Sequence, residues 1–302
     1  MRRQTSRESG AVTVVVLVAM VAVIGFGAMV VDGGMLYHTQ ARLQSAADVA
    51  ALAGARVLTA DGVAAAVTRA MSVAQDNGLN PHQVQVTVDT ANNAVAVRAH
   101  QEVALGLARV LNHTRAEVVA SATAAAQSVT GLHGAAPLGV VWRGFVFGQV
   151  YDLKVGGGAG EGGWFGAVDL GLQGGGASEY RQHLEYGWDG LLSVGDIVGL
   201  KTGNMSGPTR QGIRDRLDRC NHLPACTFAL YARHCPRLIL VPVVTPPDNG
   251  AVQVLGFAGF FVESLPGSGD DSIIRGRFVE FVAVGNAGPA AFYGARTFTL
   301  IR

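Results

Sequence analysis

What this sequence lacks most plainly is an excess of charge of either sign. Lys and Arg number 23 against 22 Asp and Glu, a formal net charge of +1 over 302 residues, so nothing in the balance favours nucleic acid as a partner. Basic runs with interleaved aromatics are missing as well. The one arginine cluster, Arg210 to Arg219, alternates with Asp215 and Asp218 as a solvated helix face would. Also missing are the His-Glu-x-x-His of a zinc protease, the Gly-x-Ser-x-Gly of a nucleophile elbow, a Ser-x-x-Lys pair, and a glycine fingerprint between a strand and a helix. Each of these sets a nucleophile, metal or phosphate where its chemistry needs it. Gly156 to Gly163 is glycine-rich, but no Gly-Lys-Ser/Thr ending and no helix-forming segment follow, so it reads as a turning loop. No catalytic residue, cofactor site or metal ligand is therefore assigned, and the chain is expected not to be an enzyme. An unrecognised hydrolase would have to draw on Glu179, His183, Glu185, Asp189 and Asp196, which are acids and an imidazole among turns.

Aromatic residues and proline are almost missing from the first half. Nineteen of 21 aromatics and nine of ten prolines lie beyond residue 134, whereas the first half is built largely from Ala and Val. Two separately folded modules account for this shift, with a boundary expected near Ser128 to Ala136.

What the first half does have is Gly10 to Val31, 22 residues without a charge and with Thr13 as the only hydroxyl. At 1.5 Å per helical residue this run covers about 33 Å, enough for the hydrocarbon core of a bilayer. The helical pattern continues past it instead of stopping at a small-residue cleavage site, which points to a retained anchor. Arg2, Arg3 and Arg7 precede the run and Asp32 follows it. The positive-inside rule then puts residues 1–9 in the cytoplasm as a short leader, residues 10–31 in the membrane and the rest of the chain outside.

After Asp32 the chain keeps helical character to about Leu58, with Gly33 and Gly34 as its weak point: one rod, or two helices hinged there. Ala46, Ala47, Ala50, Ala51 and Gly54 give a face of very small side chains that lets another helix or a sheet approach closely, and a partner helix is the expected occupant. Thr59 or Asp61 can cap a second helix from Gly62 to Asn77, ended by Gly78 and Pro81. Alternation through Val84, Val86, Val88 and Val95, Val97, Ala99 across Asn92-Asn93 predicts a hairpin. A short helix over Ala104 to Asn112 and a strand over Glu117 to Gln127 complete this module.

The run Gly10-Ala11-Val12, the apolar helix, Val31-Asp32-x-Gly34-x-x-Tyr37, Arg42-Leu43-Gln44-x-Ala46-Ala47-Asp48 and Ala50-Ala51-Leu52-Ala53-Gly54-Ala55 resemble the N-terminal segment of TadG-like proteins of the Flp (Tad) pilus-assembly system. The resemblance covers about 45 residues closely and weakens toward residue 128. It implies an envelope-anchored protein, pilin-like over residues 32–130, with the lipid bilayer and pilus-assembly or pilin-like membrane proteins as partners and no catalytic residues.

Beyond Pro137 the pattern changes to short strands broken by glycine, over 139–155, 163–172, 186–200, 236–245, 251–265, 274–285 and 292–302, with one helix over Pro208 to Arg219. A mainly-β domain over residues 136–302, sandwich or open barrel, is expected, making the whole chain α+β. Its three cysteines, Cys220, Cys226 and Cys235, lie within sixteen residues. Outside the membrane a disulfide is their expected fate, with Cys226 and Cys235 as the pair and Cys220 left over. The competing reading is a zinc site drawing also on His222 or His234, against which stands the absence of paired two-to-four-residue knuckles. An alternative for the whole chain is an extracytoplasmic glycan- or metal-binding module on an anchored stalk, which clustered exposed rings at Trp142, Trp164 and Trp188 would support.

Overall fold

The computed structural model describes residues 8–154, 165–171, 176–201, 205–232, 234–266 and 273–301. Gly156 to Gly163 and Trp164 lie outside the described residues. The fold is α+β, a long N-terminal apolar helix followed by a mainly-β region. The chain divides into two compact units: residues 1–126 with 299–302, and residues 127–298.

In the first unit α1 runs over Glu8–Asp76 and leaves helical geometry only at Gly62, where φ is 84° and ψ −175°. Only glycine adopts that conformation without strain, so the chain turns there and the second leg begins. Gly33 and Gly34 do not interrupt the helix, so the single rod is the arrangement observed. Gly78 ends the second leg with φ 82°, its N–H donating to the Gln75 carbonyl. The hairpin follows as β1, Val84–Asp89, and β2, Ala94–Ala104, paired antiparallel from Val84 with Ala99 to Asp89 with Ala94. Its turn is fixed by the Asp89 carboxylate, which accepts N–H groups from Ala91 and Asn92, and by Asn93 at φ 48°.

A 3-10 turn, Ala108–Leu111, stands where a helix over 104–112 is expected. Left-handed Asn112, at φ 65°, stops it after one turn. Next β3, Arg115–Leu132, lies antiparallel on β2 from Ala94 with Ala125 to Ala104 with Arg115, and the division between the units falls inside it. The core of this unit is small: Leu43, Ala46, Ala47, Ala50, Ala51 and Ala55 of the rod are buried, as are Ala66 and Ala70 of its second leg and Val95, Val97 and Ala99 of β2.

The second unit holds β4 (Leu138–Val141), β5 (Val150–Lys154), β6 (Phe165–Asp169), α2 (Ala177–Tyr186), β7 (Leu192–Ser193), β8 (Ile197–Leu200), α3 (Ser206–Asp218), β9 (Leu238–Val244), β10 (Ala251–Ser264), β11 (Ile273–Val279), β12 (Phe281–Val282) and β13 (Gly285–Gly288), and the division between the units falls inside β14 (Ala295–Ile301) as well. The main sheet runs β5-β11-β10-β8-β6-β4-β9, and a further pairing of β9 with β10 curls it closed. Closure depends on the length of β10. Its first residues pair β8, its middle pairs β9, and its last residues pair β11, with a register shift between Val254 and Gly256 that bends the strand. Gly256 is required at the bend because the Tyr293 ring lies where a side chain would begin, 2.4 Å from an ideal Cβ. The core is aromatic, unlike that of the first unit: Phe145 stacks on Phe278 at 4.5 Å, and Trp142 meets Phe145 edge-on at 5.3 Å.

The α2 helix is a difference from the sequence reading, which placed only strands and loops over 163–200. It packs on α3 through Gly212, where an added Cβ would sit 2.8 Å from Leu184 Cβ. The contact buries Tyr180 and Thr209, whose hydroxyls hydrogen-bond at 2.9 Å. The arginine cluster is not simply a solvated face either. Arg216 is buried and donates to the Glu185 carbonyl oxygen at 3.1 Å, and burial lowers its pKa to about 10, with Arg219 adding to the shift and Glu185 opposing it.

Candidate functional site

Two side-chain constellations stand out, one in each unit. The first is built on the rod. Val12, Leu17, Met20, Phe26 and Met29 of the apolar run are exposed, and Asp32 is the first residue to be buried after them. Its Oδ1 accepts the Gly106 N–H at 2.8 Å, and Oδ2 accepts the N–H groups of Leu107 and Ala108 at 3.0 and 2.6 Å. Those amides open the 3-10 turn, so the carboxylate satisfies donors that the short turn cannot satisfy itself. The Ala108 N–H holds the Asp32 carboxyl below the ordinary carboxylate value; burial works the other way, and Gly106, Leu107 and the Arg109 charge add to the lowering. Gly106 suits the contact, since an added Cβ would lie 3.2 Å from Oδ1.

Further along the rod the other polar landmarks also reach the sheet. Gln44 donates to the Ser121 carbonyl at 3.0 Å and to the Asp48 carboxylate at 2.8 Å, and Arg42 donates to Gln101 Oε1. The small-residue face has an occupant within this chain. Ala46, Ala47, Ala50, Ala51 and Gly54 are buried, and an ideal Cβ on Gly54 would lie 3.0 Å from Val95 Cγ1 of β2 and 3.1 Å from Ala70 Cβ of the second leg. Small side chains permit close approach, and here the chain's own sheet and returning helix make it. Met35, Tyr37 and Val49 remain exposed.

The second constellation joins the end of α3 to the start of β9. Cys220 follows α3, its N–H donating to the Leu217 carbonyl at 3.0 Å; Cys235 precedes β9, its carbonyl accepting the Leu238 N–H at 3.0 Å. Cys226 and Cys235 are buried with Phe261 and Val279, and Cys220, Phe228 and Tyr231 pack around them. No S–S bond joins any two of the three cysteines. Cys220 Sγ lies 3.5 Å from Cys235 Sγ and 3.6 Å from His222 Nδ1. The ligand atoms of Cys220, His222, Cys226 and Cys235 all fall within 4.8 Å of one another, so the four side chains could hold a metal ion. Burial pushes the Cys220 thiol up, but hydrogen bonds from His222, Cys235 and Cys226 outweigh it and hold that sulfur below the ordinary thiol value. Cys235 is held above it, first by burial, against a hydrogen bond from the Arg237 backbone. The sequence reading favours a pairing of two of these thiols and keeps a zinc site with His222 or His234 as the competitor; of the two imidazoles, the one grouped with the thiols is that of His222. His234 is exposed.

Other residues singled out from the sequence have ordinary partners. Asp196 accepts the Ser193 N–H at 2.8 Å in a turn, and the Asp189 carbonyl accepts from His133 Nδ1 at 2.7 Å. Glu185 offers its carbonyl oxygen to Arg216 and Arg219. Trp142 is half-buried among Phe145, Phe147, Phe278 and Tyr293, and Trp188 packs in a separate cluster.

Asp32 thus ties the rod to the 3-10 turn, Arg42 and Gln44 tie it to β2 and β3, and Asp48 holds Gln44 from within the rod. Residues 10–70 match the Tad family, Flp pilus-assembly TadE/G-like. No curated protein and no solved structure matches the chain. The TadE/G-like stretch takes in the apolar run, the Asp32 carboxylate and the small-residue face, and it ends before the sheet and the thiol cluster.

Proposed function

We propose that this chain is a single-pass, envelope-anchored structural or assembly component of a Flp/Tad-type pilus, without enzymatic activity. The observation that carries the reading is a coincidence of place. The TadE/G-like match falls on the one helix, among the described residues, that is long and apolar enough to cross a membrane. The exposed side chains of that helix form a larger apolar surface than a water-facing helix tolerates, which suits lipid. The arginine bias before the run favours a cytoplasmic N-terminus and an extracytoplasmic, pilin-like stretch over residues 32–130. Because the small-residue face is taken up internally, pilus-system partners would meet the rod at residues it leaves exposed, such as Met35, Tyr37 and Val49.

Deletion of the gene, with complementation by the intact reading frame, tests the assignment. Loss of surface pili in electron micrographs, restored by the full chain, is the expected result. Unaltered piliation in the deletion strain would overturn it. Fractionation adds a separate check on the anchor: the chain should stay in the membrane pellet through carbonate extraction and leave it only in detergent.

A further inference from the structure

We propose that Cys220, His222, Cys226 and Cys235 form a closed, structural zinc site of the Cys3His type in the second unit. With Zn–S near 2.3 Å and Zn–N near 2.0 Å, a regular tetrahedron has S···S edges of about 3.8 Å and S···N edges of about 3.5 Å. The Cys220 to Cys235 and Cys220 to His222 separations, 3.5 and 3.6 Å, are close to those edges. All remaining ligand-atom pairs fall within 4.8 Å. A disulfide accounts for less. Its sulfurs stand about 2.05 Å apart, it would use two of the three thiols, and it has no place for an imidazole nitrogen directed at a sulfur.

The surroundings fit a coordinated thiolate. Backbone N–H groups two residues on, of His222 toward Cys220 and of Arg237 toward Cys235, hydrogen-bond the sulfurs. Such outer hydrogen bonds are what hold metal-bound thiolates in place. Three sulfurs and one imidazole nitrogen in tetrahedral array select zinc over magnesium or calcium, which prefer oxygen. Four protein ligands leave no open position for water or substrate, so the ion is structural and not catalytic.

The location explains why a staple is needed. The connection from Arg219 to Arg237 carries no helix or strand among its described residues beyond a single bridge between Thr227 and Leu230. Loops of this length without their own structure are uncommon in a compact unit. Zinc would fasten the loop at its two ends, Cys220 with His222 and Cys235, and at Cys226 between them. The three thiols lose their protons to solvent as the ion binds, so folding of the loop and binding are one event.

The test uses the full chain, extracted from membranes in mild detergent with reductant and without chelator. Elemental analysis should find about one zinc per chain, and X-ray absorption should give three sulfurs near 2.3 Å and one nitrogen near 2.0 Å. After chelator removes the metal, Co2+ added to the intact chain should give the visible spectrum of tetrahedral thiolate cobalt. His222→Ala should weaken retention of zinc roughly 10-fold or more, and Cys235→Ser should abolish it. Should either variant fail to fold, the cobalt titration of the unaltered chain decides by itself. Absence of stoichiometric zinc together with a featureless cobalt titration would overturn the proposal. A Cys226–Cys235 disulfide in chain isolated with thiols blocked at lysis would overturn it equally.

Discussion

Glycine to alanine at two places on the same helix should have opposite effects. At Gly33 an added Cβ meets nothing within 4 Å, so Gly33→Ala gains helix propensity alone, about 1 kcal/mol. At Gly54 the same methyl group would lie 3.0 Å from Val95 Cγ1, 3.1 Å from Ala70 Cβ and 3.2 Å from the Ala66 carbonyl oxygen. The neighbours stand on two elements, β2 and the second leg of α1, and one of the atoms is backbone, so moving away from one contact tightens another. Overpacking of this kind costs about 1 to 3 kcal/mol. Propensity cancels between the two substitutions, and their difference in stability, about 1 to 3 kcal/mol, isolates the packing cost. Denaturant unfolding of both variants in one detergent, followed by far-ultraviolet circular dichroism, gives that difference. Gly54→Ala as stable as Gly33→Ala would refute the close helix-to-sheet contact. Gly54→Leu, with three more carbons to place, should unfold more readily than either.

The Asp32 carboxylate, held below its ordinary value of 3.8 by backbone donors, stabilises the first unit above that pH, and its contribution should fade as pH falls through the depressed value. Asp32→Asn should flatten that acid limb, and Asp32→Ala should speed amide exchange at Gly106, Leu107 and Ala108; an unchanged acid limb in the Asn variant would count against the contact. Tyr180→Phe strips a buried partner from the Thr209 hydroxyl and should cost about 1 to 3 kcal/mol, while Tyr180→Phe with Thr209→Val should cost less than the sum of the two. For topology, a cysteine at exposed Ala91 should add labelling by a membrane-impermeant thiol reagent in intact cells above the level of the parent chain. Labelling that rises only after lysis would reverse the orientation.

The first unit was legible because its physics is local. A charge-free run, alanines at helical spacing and valines alternating about Asn92-Asn93 each carry a period, and α1, β1 and β2 follow those periods. What the small face packs against was not written in it, since Ala and Gly admit a sheet as readily as a helix. The Gly62 turn was visible as a helix boundary, although not as one residue with positive φ. In the second unit the short strands were visible, but α2 was not: only Tyr180 and Leu184 of its ten residues are buried, too few for a recognisable stripe. Arg216 reads as solvated from its acidic neighbours, and only the packing of α3 on α2 buries it. His222 was named beside His234 with nothing in the sequence to choose between them. It joins Cys235 across thirteen positions of irregular chain, and that meeting depends on where α3 stops and β9 starts.

Asp32 follows Val31 directly, so the fold of the first unit begins where the apolar run ends, with no slack between them. An unbroken helix through Gly33 and Gly34 then fixes a phase: each side of the apolar run keeps one angular position relative to the sheet. One alanine inserted between Val31 and Asp32 would advance that phase by about 100° while lengthening the rod by only about 1.5 Å. Contacts made by the run with neighbouring helices would swing out of alignment with contacts made by the folded unit. A second inserted alanine would leave them still out of step, and insertion of seven residues, about two full turns, would bring them nearly back into line at the greater distance.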